Sequence, residues 1–121
     1  MTALSKRIAT VNLEAGFPTA AETRRRVTTE LEVATRSGIA VLKLIHGYGS
    51  TGKGGKLRRA VRAELTQIRA ERKIGRVVFG EAWSIFDEDS RALLERYPDL
   101  RRDVDLERAN AGITIVEVKP S

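Results

Sequence analysis

The sequence predicts an α/β domain: a two-layer sandwich of order β-α-β-α-β-β, with a mixed, mostly parallel four-stranded sheet and a helical insertion before the last strand. Three observations carry this. Short, β-branched apolar runs alternate with longer stretches of helical periodicity. The first helical stretch has both a start and a stop signal. The segment between the last two apolar runs, Gly80 to Gly112, is too long for a hairpin turn.

Ile8 to Leu13 is short, partly alternating and β-branched, and predicts the first strand, bounded by Gly16 and Pro18. Thr19 followed three residues later by Glu22 fits a capping box, in which each side chain satisfies a free backbone N–H at the start of a helix. Val27, Leu31 and Ala34 then fall on one stripe, and Gly38 supplies the stop. Ile39 to Ile45 is nearly continuously apolar, as a central or doubly covered strand requires. His46 to Gly55 holds five of the ten glycines and predicts a loop. From about Lys56, Leu57, Val61, Leu65 and Ile68 form a second apolar helix stripe, and Arg58, Arg59, Arg62 and Arg69 point elsewhere. Arg76 to Phe79 and Ile113 to Val118 predict the last two strands, the latter terminated by Pro120. Within the insertion, at about 81–110, Asp87 is placed to cap a helix carrying Leu93, Leu94 and Tyr97 up to Pro98, with a further short turn around Leu100 to Leu106.

A length of 121 residues suits one domain over 1–121, and 41% hydrophobic with 31% charged residues is a globular balance. The absence of cysteine excludes disulfides, thiol nucleophiles and thiolate metal sites, and a single histidine excludes a His-rich zinc site. No apolar run approaches the ~20 residues that span a bilayer, and Met1 to Thr10 lacks the apolar core of a signal peptide. The expectation is a soluble, cytoplasmic protein that uses no cofactor and no metal.

The net charge of +6, from 22 basic and 16 acidic residues, is unevenly spread. Residues 1–42 carry six basic and four acidic side chains, 43–76 carry ten and two, and 77–121 carry six and ten, giving +2, +8 and −4. The middle is a concentrated cationic segment of the kind that attracts phosphate; otherwise these charges solvate a helix face.

The glycine-rich loop lies inside that segment. A loop leaving a buried strand and entering a helix N-terminus gathers backbone N–H groups and the positive end of the helix dipole, and Lys53, Lys56, Arg58 and Arg59 add full charges. Gly47 to Lys53 matches G-x-x-x-x-G-K, the phosphate loop of nucleoside triphosphatases, but Gly54 stands where a Ser or Thr should hold Mg²⁺. No later strand ends in the required Asp, Glu81 being the one weak candidate. That reading is set aside in favour of a polymer's phosphates.

Ile-His-Gly-Tyr-Gly at 45–49, followed by Gly-Lys-Leu-Arg at 55–58 and Val61, resembles the small MutS-related (Smr) domain, in which an HGxG loop follows a strand and G-x-L-R opens the next helix. The resemblance covers about residues 8–79 and 110–119, including the closing Ala-Gly-Ile-Thr-Ile-Val-Glu-Val. It implies a two-layer α/β fold similar to the C-terminal domain of translation initiation factor three, binding of DNA or RNA and, in some members, nicking or cleavage. Family members often carry LDLHG at the end of the first strand; here Asn12 stands in place of its Asp and Glu14 in place of its His. A metal-dependent phosphodiesterase needs paired carboxylates or an acid and base across the phosphorus. Cleavage would therefore fall to Glu14 with His46, an incomplete set, and no catalytic residue is assigned.

The expected interface comprises His46, Gly47, Tyr48, Gly49, Lys53, Lys56, Arg58, Arg59 and Arg62. The imidazole of His46 could donate to a phosphate or pin the loop; Tyr48 could stack on a base or pack over the helix start. Arg24 to Arg26 reads as a solvated helix face. Trp83 and Phe86 read as anchors of the insertion, whose acidic stretches, Asp87 to Asp89 and Asp99 to Glu107, could shield the basic loop or meet a protein partner. The functional expectation is sequence-independent nucleic-acid binding, with a structure-selective nicking endonuclease and a protein-interaction module as alternatives.

Overall fold

Alternation along the strands sorts apolar side chains onto the two faces of one sheet. The computed structural model describes residues 7–47 and 53–120, with β1 (Ile8–Asn12), α1 (Ala20–Arg36), β2 (Val41–Ile45), α2 (Lys53–Ala70), β3 (Val77–Phe79), α3 (Glu88–Arg96) and β4 (Ile113–Glu117). The strands lie in the order β1-β2-β4-β3. Three of the four point the same way, yet β4 lies between β2 and β3 and is antiparallel to both, so β1–β2 is the one parallel pair. This corrects the mostly parallel expectation. The long insertion lets the chain return in the opposite sense down the middle of the sheet.

One face carries Leu42 and Leu44 of β2 and Val116 of β4 against Val27, Leu31 and Ala34 of α1 and Val61 and Leu65 of α2. The other carries Val41, Val78, Ile113 and Ile115 against Trp83, Leu93, Leu94 and Leu100 of the insertion. The insertion thus adds a third layer, where two layers are expected from sequence. Without it, the second apolar face of β2 and β4 would be left in water, at a cost of roughly 25 cal/mol per Å².

Local signals act as their chemistry dictates. Thr19 and Glu22 form both arms of the capping box, at 3.1 and 2.9 Å. Gly38, at φ 72°, ends α1: its N–H reaches Thr35 O and that of Ile39 reaches Ala34 O, the paired bonds of a left-handed glycine stop. Asp87 accepts the Ser90 N–H at 2.9 Å and starts α3, and a short 3-10 turn follows at Pro98–Arg102. Helix α2 begins at Lys53, three residues earlier than expected, so Gly54 and Gly55 belong to its first turn.

Lys43 is buried on the insertion face of β2, only 7% exposed. Its ammonium contacts Asp103 at 2.7 Å and Asp105 at 2.5 Å, and the Trp83 indole N–H donates to Asp103 at 3.0 Å. Burial works to lower the pKa of Lys43, but the two carboxylates outweigh it and hold the pKa above its ordinary value. Glu107 accepts from the Ser84 hydroxyl and the Ile85 N–H, and Asp89 lies 3.6 and 3.7 Å from Arg69 and Arg76. Asp89, Asp103, Asp105 and Glu107 of the acidic stretches are thus engaged within the fold. The expected aromatic anchors also part company: Trp83 is fully buried, whereas Phe86 is 85% exposed.

Candidate nucleic-acid interface

Because β1, β2 and β3 share a direction, the segments leaving their C-terminal ends collect along one sheet edge, where α1 and α2 begin. Asn12 is paired in register with Ile45, and the side-chain oxygen of Asn12 accepts the Glu14 N–H at 2.9 Å, turning the chain out of β1. Glu14 then lies against the loop after β2: a Cβ added to Gly47 would sit 2.6 Å from its carboxylate oxygen. Gly47, at φ 79°, is a position where a side chain would be strained and the Glu14 carboxylate would have to shift.

His46 is fully buried. Its Nδ1 lies 2.8 Å from Gly47 O and its Nε2 2.9 Å from Thr114 Oγ1. The carbonyl can only accept, so Nδ1 carries the proton and donates it, and Nε2 accepts from the Thr114 hydroxyl. Burial pushes the imidazole pKa down; the Gly47 carbonyl opposes this, and the charges of Arg62 and Arg58 add to it. His46 is thus a neutral pin, reinforced by the His46 and Gly47 N–H groups, which both donate to Gly112 O at 2.9 and 3.0 Å. Of the two roles open from sequence, the geometry is that of the pin.

Arg62 is also committed. Its guanidinium packs 4.2 Å above the Phe79 ring and pairs with Glu81. Partial burial works to raise the Glu81 pKa, but backbone hydrogen bonding and Arg62 bring it below the usual value. Arg24 pairs with Glu64 and Arg26 with Glu30, in keeping with a solvated face on α1. By contrast, among the described residues no carboxylate pairs with Lys56, Arg58 or Arg59, and no acidic residue lies in the first turn of α2. Lys56 and Arg59 are exposed and Arg58 partly so. Tyr48 and Gly49 lie outside the described residues, as does the side chain of Lys53, the first residue of α2.

The structure thus brings Gly47 and the start of α2, with Lys56, Arg58 and Arg59, to one edge, with His46 beneath them and Arg62 turned toward Glu81. Sequence reasoning missed Thr114 and Gly112, the His46 partners, because they sit in and beside the last strand. It also missed the Arg62–Glu81–Phe79 group; the i, i+3 spacing off the apolar stripe marks Arg62 as exposed, and only the third strand reveals its partner. For the cleavage alternative, both ring nitrogens of His46 are occupied, and the described residues contain no group of three or more His, Asp or Glu placed to hold a metal.

An α/β module with a glycine turn pinned from below, opening into a basic helix start whose described cations have no carboxylate partner among the described residues, is the class that this fold and edge define. The Smr domain model matches residues 16–78, just over half of the chain, and the chain belongs to that family. The match begins after β1, beyond the Asn12 and Glu14 departures. No curated protein and no solved structure matches the chain. Among the described residues, no helix is long and apolar enough to cross a membrane.

Proposed function

We propose that this Smr domain binds DNA or RNA, largely without regard to sequence, by seating backbone phosphates at the start of α2. The observation that carries this reading is the charge inventory of that helix. Arg62 and Arg69, farther along α2, have carboxylate partners, whereas Lys56, Arg58 and Arg59 near its start have none among the described residues. Three cations without counter-charges at the positive end of an 18-residue helix favour a polyanion.

In this reading Lys56, Arg58 and Arg59 neutralise phosphates, with Lys53, Tyr48 and Gly49 as further candidates, and Gly47 shapes the turn, its N–H given to Gly112 O and its Cα faced by the Glu14 carboxylate. His46 positions that backbone and makes no phosphate contact; Arg62 holds the helix to β3. The protein holds the polymer without cutting it, since Asn12 turns the backbone and His46 has no free nitrogen.

The test is a gel-shift panel with duplex, branched and single-stranded DNA and RNA, with and without Mg²⁺ or Mn²⁺. The proposal expects salt-sensitive binding, no metal-dependent nicking, and reduced affinity for Lys56→Ala combined with Arg58→Ala. Binding unchanged in that double variant would refute it.

A further inference from the structure

Phe17 stands out in the loop between β1 and α1. It is 89% exposed, the most exposed of the large hydrophobic side chains described. Its φ is +51°, in the left-handed region, directly after Gly16 at +82°, and its N–H donates to Glu14 O at 3.2 Å. A bulky L residue is disfavoured there, and glycine or asparagine would hold the same turn with less strain.

At 89% exposure, the ring takes almost no part in the packing of the described residues. An apolar residue ahead of a helix commonly packs onto the first turn from the position just before the cap. Here that position is Pro18, and the residue it would face, Thr23, is occupied by its hydroxyl bond to Thr19 O at 2.9 Å. The helix start is already satisfied by Thr19 and Glu22. An aromatic held in solvent on strained backbone, with no packing return, points to a contact outside the chain.

Its neighbourhood indicates which contact. Glu14, whose carbonyl holds the Phe17 turn, lies against Gly47, and the Leu13 N–H donates to Ile45 O at 2.8 Å, so this loop lies beside the C-terminal end of β2. The Phe17 loop and the start of α2 thus lie at the same end of the sheet, and an exposed aromatic sharing an edge with cations is the combination that single-stranded nucleic acid uses, with a ring for a base and charges for the phosphates around it. Duplex DNA keeps its bases stacked internally and offers the ring no such face.

We propose that Phe17 is a stacking platform for an unpaired base, so that the domain prefers single-stranded or unpaired segments over blunt duplex. This rests on the phosphate-binding reading of α2 and extends it. Stacking of one base on an aromatic side chain corresponds to about a tenfold change in affinity.

The experiment measures fluorescence anisotropy of a labelled twelve-nucleotide oligothymidylate and of a blunt duplex of the same length, using the full chain. Phe17→Ala and Phe17→Asn, the latter suited to the left-handed backbone, are expected to weaken single-strand binding about tenfold and duplex binding less than twofold. Phe17→Trp is expected to retain binding and to show fluorescence quenching on addition of the single strand. If Phe17→Ala and Phe17→Asn bind both probes as the parent does, or weaken both equally, the stacking assignment is overturned, the second result pointing to a structural role or a protein partner. If those variants are silent while Lys56→Ala with Arg58→Ala weakens both probes, the phosphate reading stands without Phe17. If the parent chain binds neither probe, the phosphate reading fails and the stacking platform with it.

Discussion

Beside its apolar layer, the insertion is tied to the sheet by one ammonium shared between two carboxylates, and replacing Lys43 with methionine tests that arrangement. Lys43→Met keeps most of the stem volume and leaves Asp103 and Asp105 facing each other without a cation. Removing one partner of a buried ion pair costs about 3–5 kcal/mol. The lower end applies, because both carboxylates are partly exposed and keep other donors, Trp83 for Asp103 and Asn110 for Asp105. With 121 residues and about 2.1 cal/mol/K of unfolding entropy per residue, a loss of about 3 kcal/mol lowers the melting temperature by about 12 °C. Trp83, the single tryptophan, is buried in the same layer and reports the transition by its fluorescence. The deficit should narrow in acid. The Asp105 pKa, which burial works to raise, is lowered by Asn110 and Lys43, so its contribution is present above its unfolded value near 4 and is lost as pH falls through the folded one. Adding Asp103→Asn and Asp105→Asn to Lys43→Met should recover much of the loss, since it removes the uncompensated charges. A melting temperature within about 4 °C of the parent for Lys43→Met would refute the docking of the insertion through a buried ion cluster.

Three further outcomes follow from the same geometry. Thr19→Ala removes one arm of the capping box and should cost about 1 kcal/mol, read as a drop of roughly 4 °C in melting temperature. Gly80→Ala should cost about 3 kcal/mol, read by urea titration, because the added Cβ would overlap the Asn110 carbonyl oxygen. The lowered pKa of His46 means that the unfolded chain takes up a proton near pH 6.5 that the folded chain refuses. Stability should therefore fall as pH drops below about 6.5, and His46→Gln should flatten that limb of a stability-against-pH curve.

What could be read in the sequence was what depends on neighbours along the chain. The Thr19–Glu22 box, the Gly38 stop and the Asp87 cap lie within a few residues of their partners, and with apolar spacing they indicated the four strands and three α-helices, α2 starting three residues earlier than expected. Strand order was not legible, because the return of β4 between β2 and β3 depends on how the insertion packs, and its aromatic and leucine residues could have faced either layer. The same holds at the interface. The basic character of the α2 start was plain from Lys56, Arg58 and Arg59. Which cations remain free depends on pairs distant in sequence, such as Arg62 with Glu81 and Lys43 with Asp103 and Asp105. His46 lay between two roles until Thr114 and Gly112 supplied its partners. Phe17 carried no periodic signal, and its meaning lies in an exposure and a backbone angle that only the fold reveals.

The central claim is that the unpaired cations at the start of α2 neutralise phosphates, and the salt dependence of binding to blunt duplex DNA tests it most directly. Each phosphate neutralised contributes about 0.9 to the slope of log affinity against log salt, so three contacts predict a slope of about −2.7. Raising salt from about 50 to 200 mM should then weaken the parent about 40-fold. Lys56→Ala with Arg58→Ala should flatten the slope to about −0.9 while circular dichroism and melting stay as in the parent. A parent slope near zero, or a slope that the double variant leaves unchanged, would contradict the account.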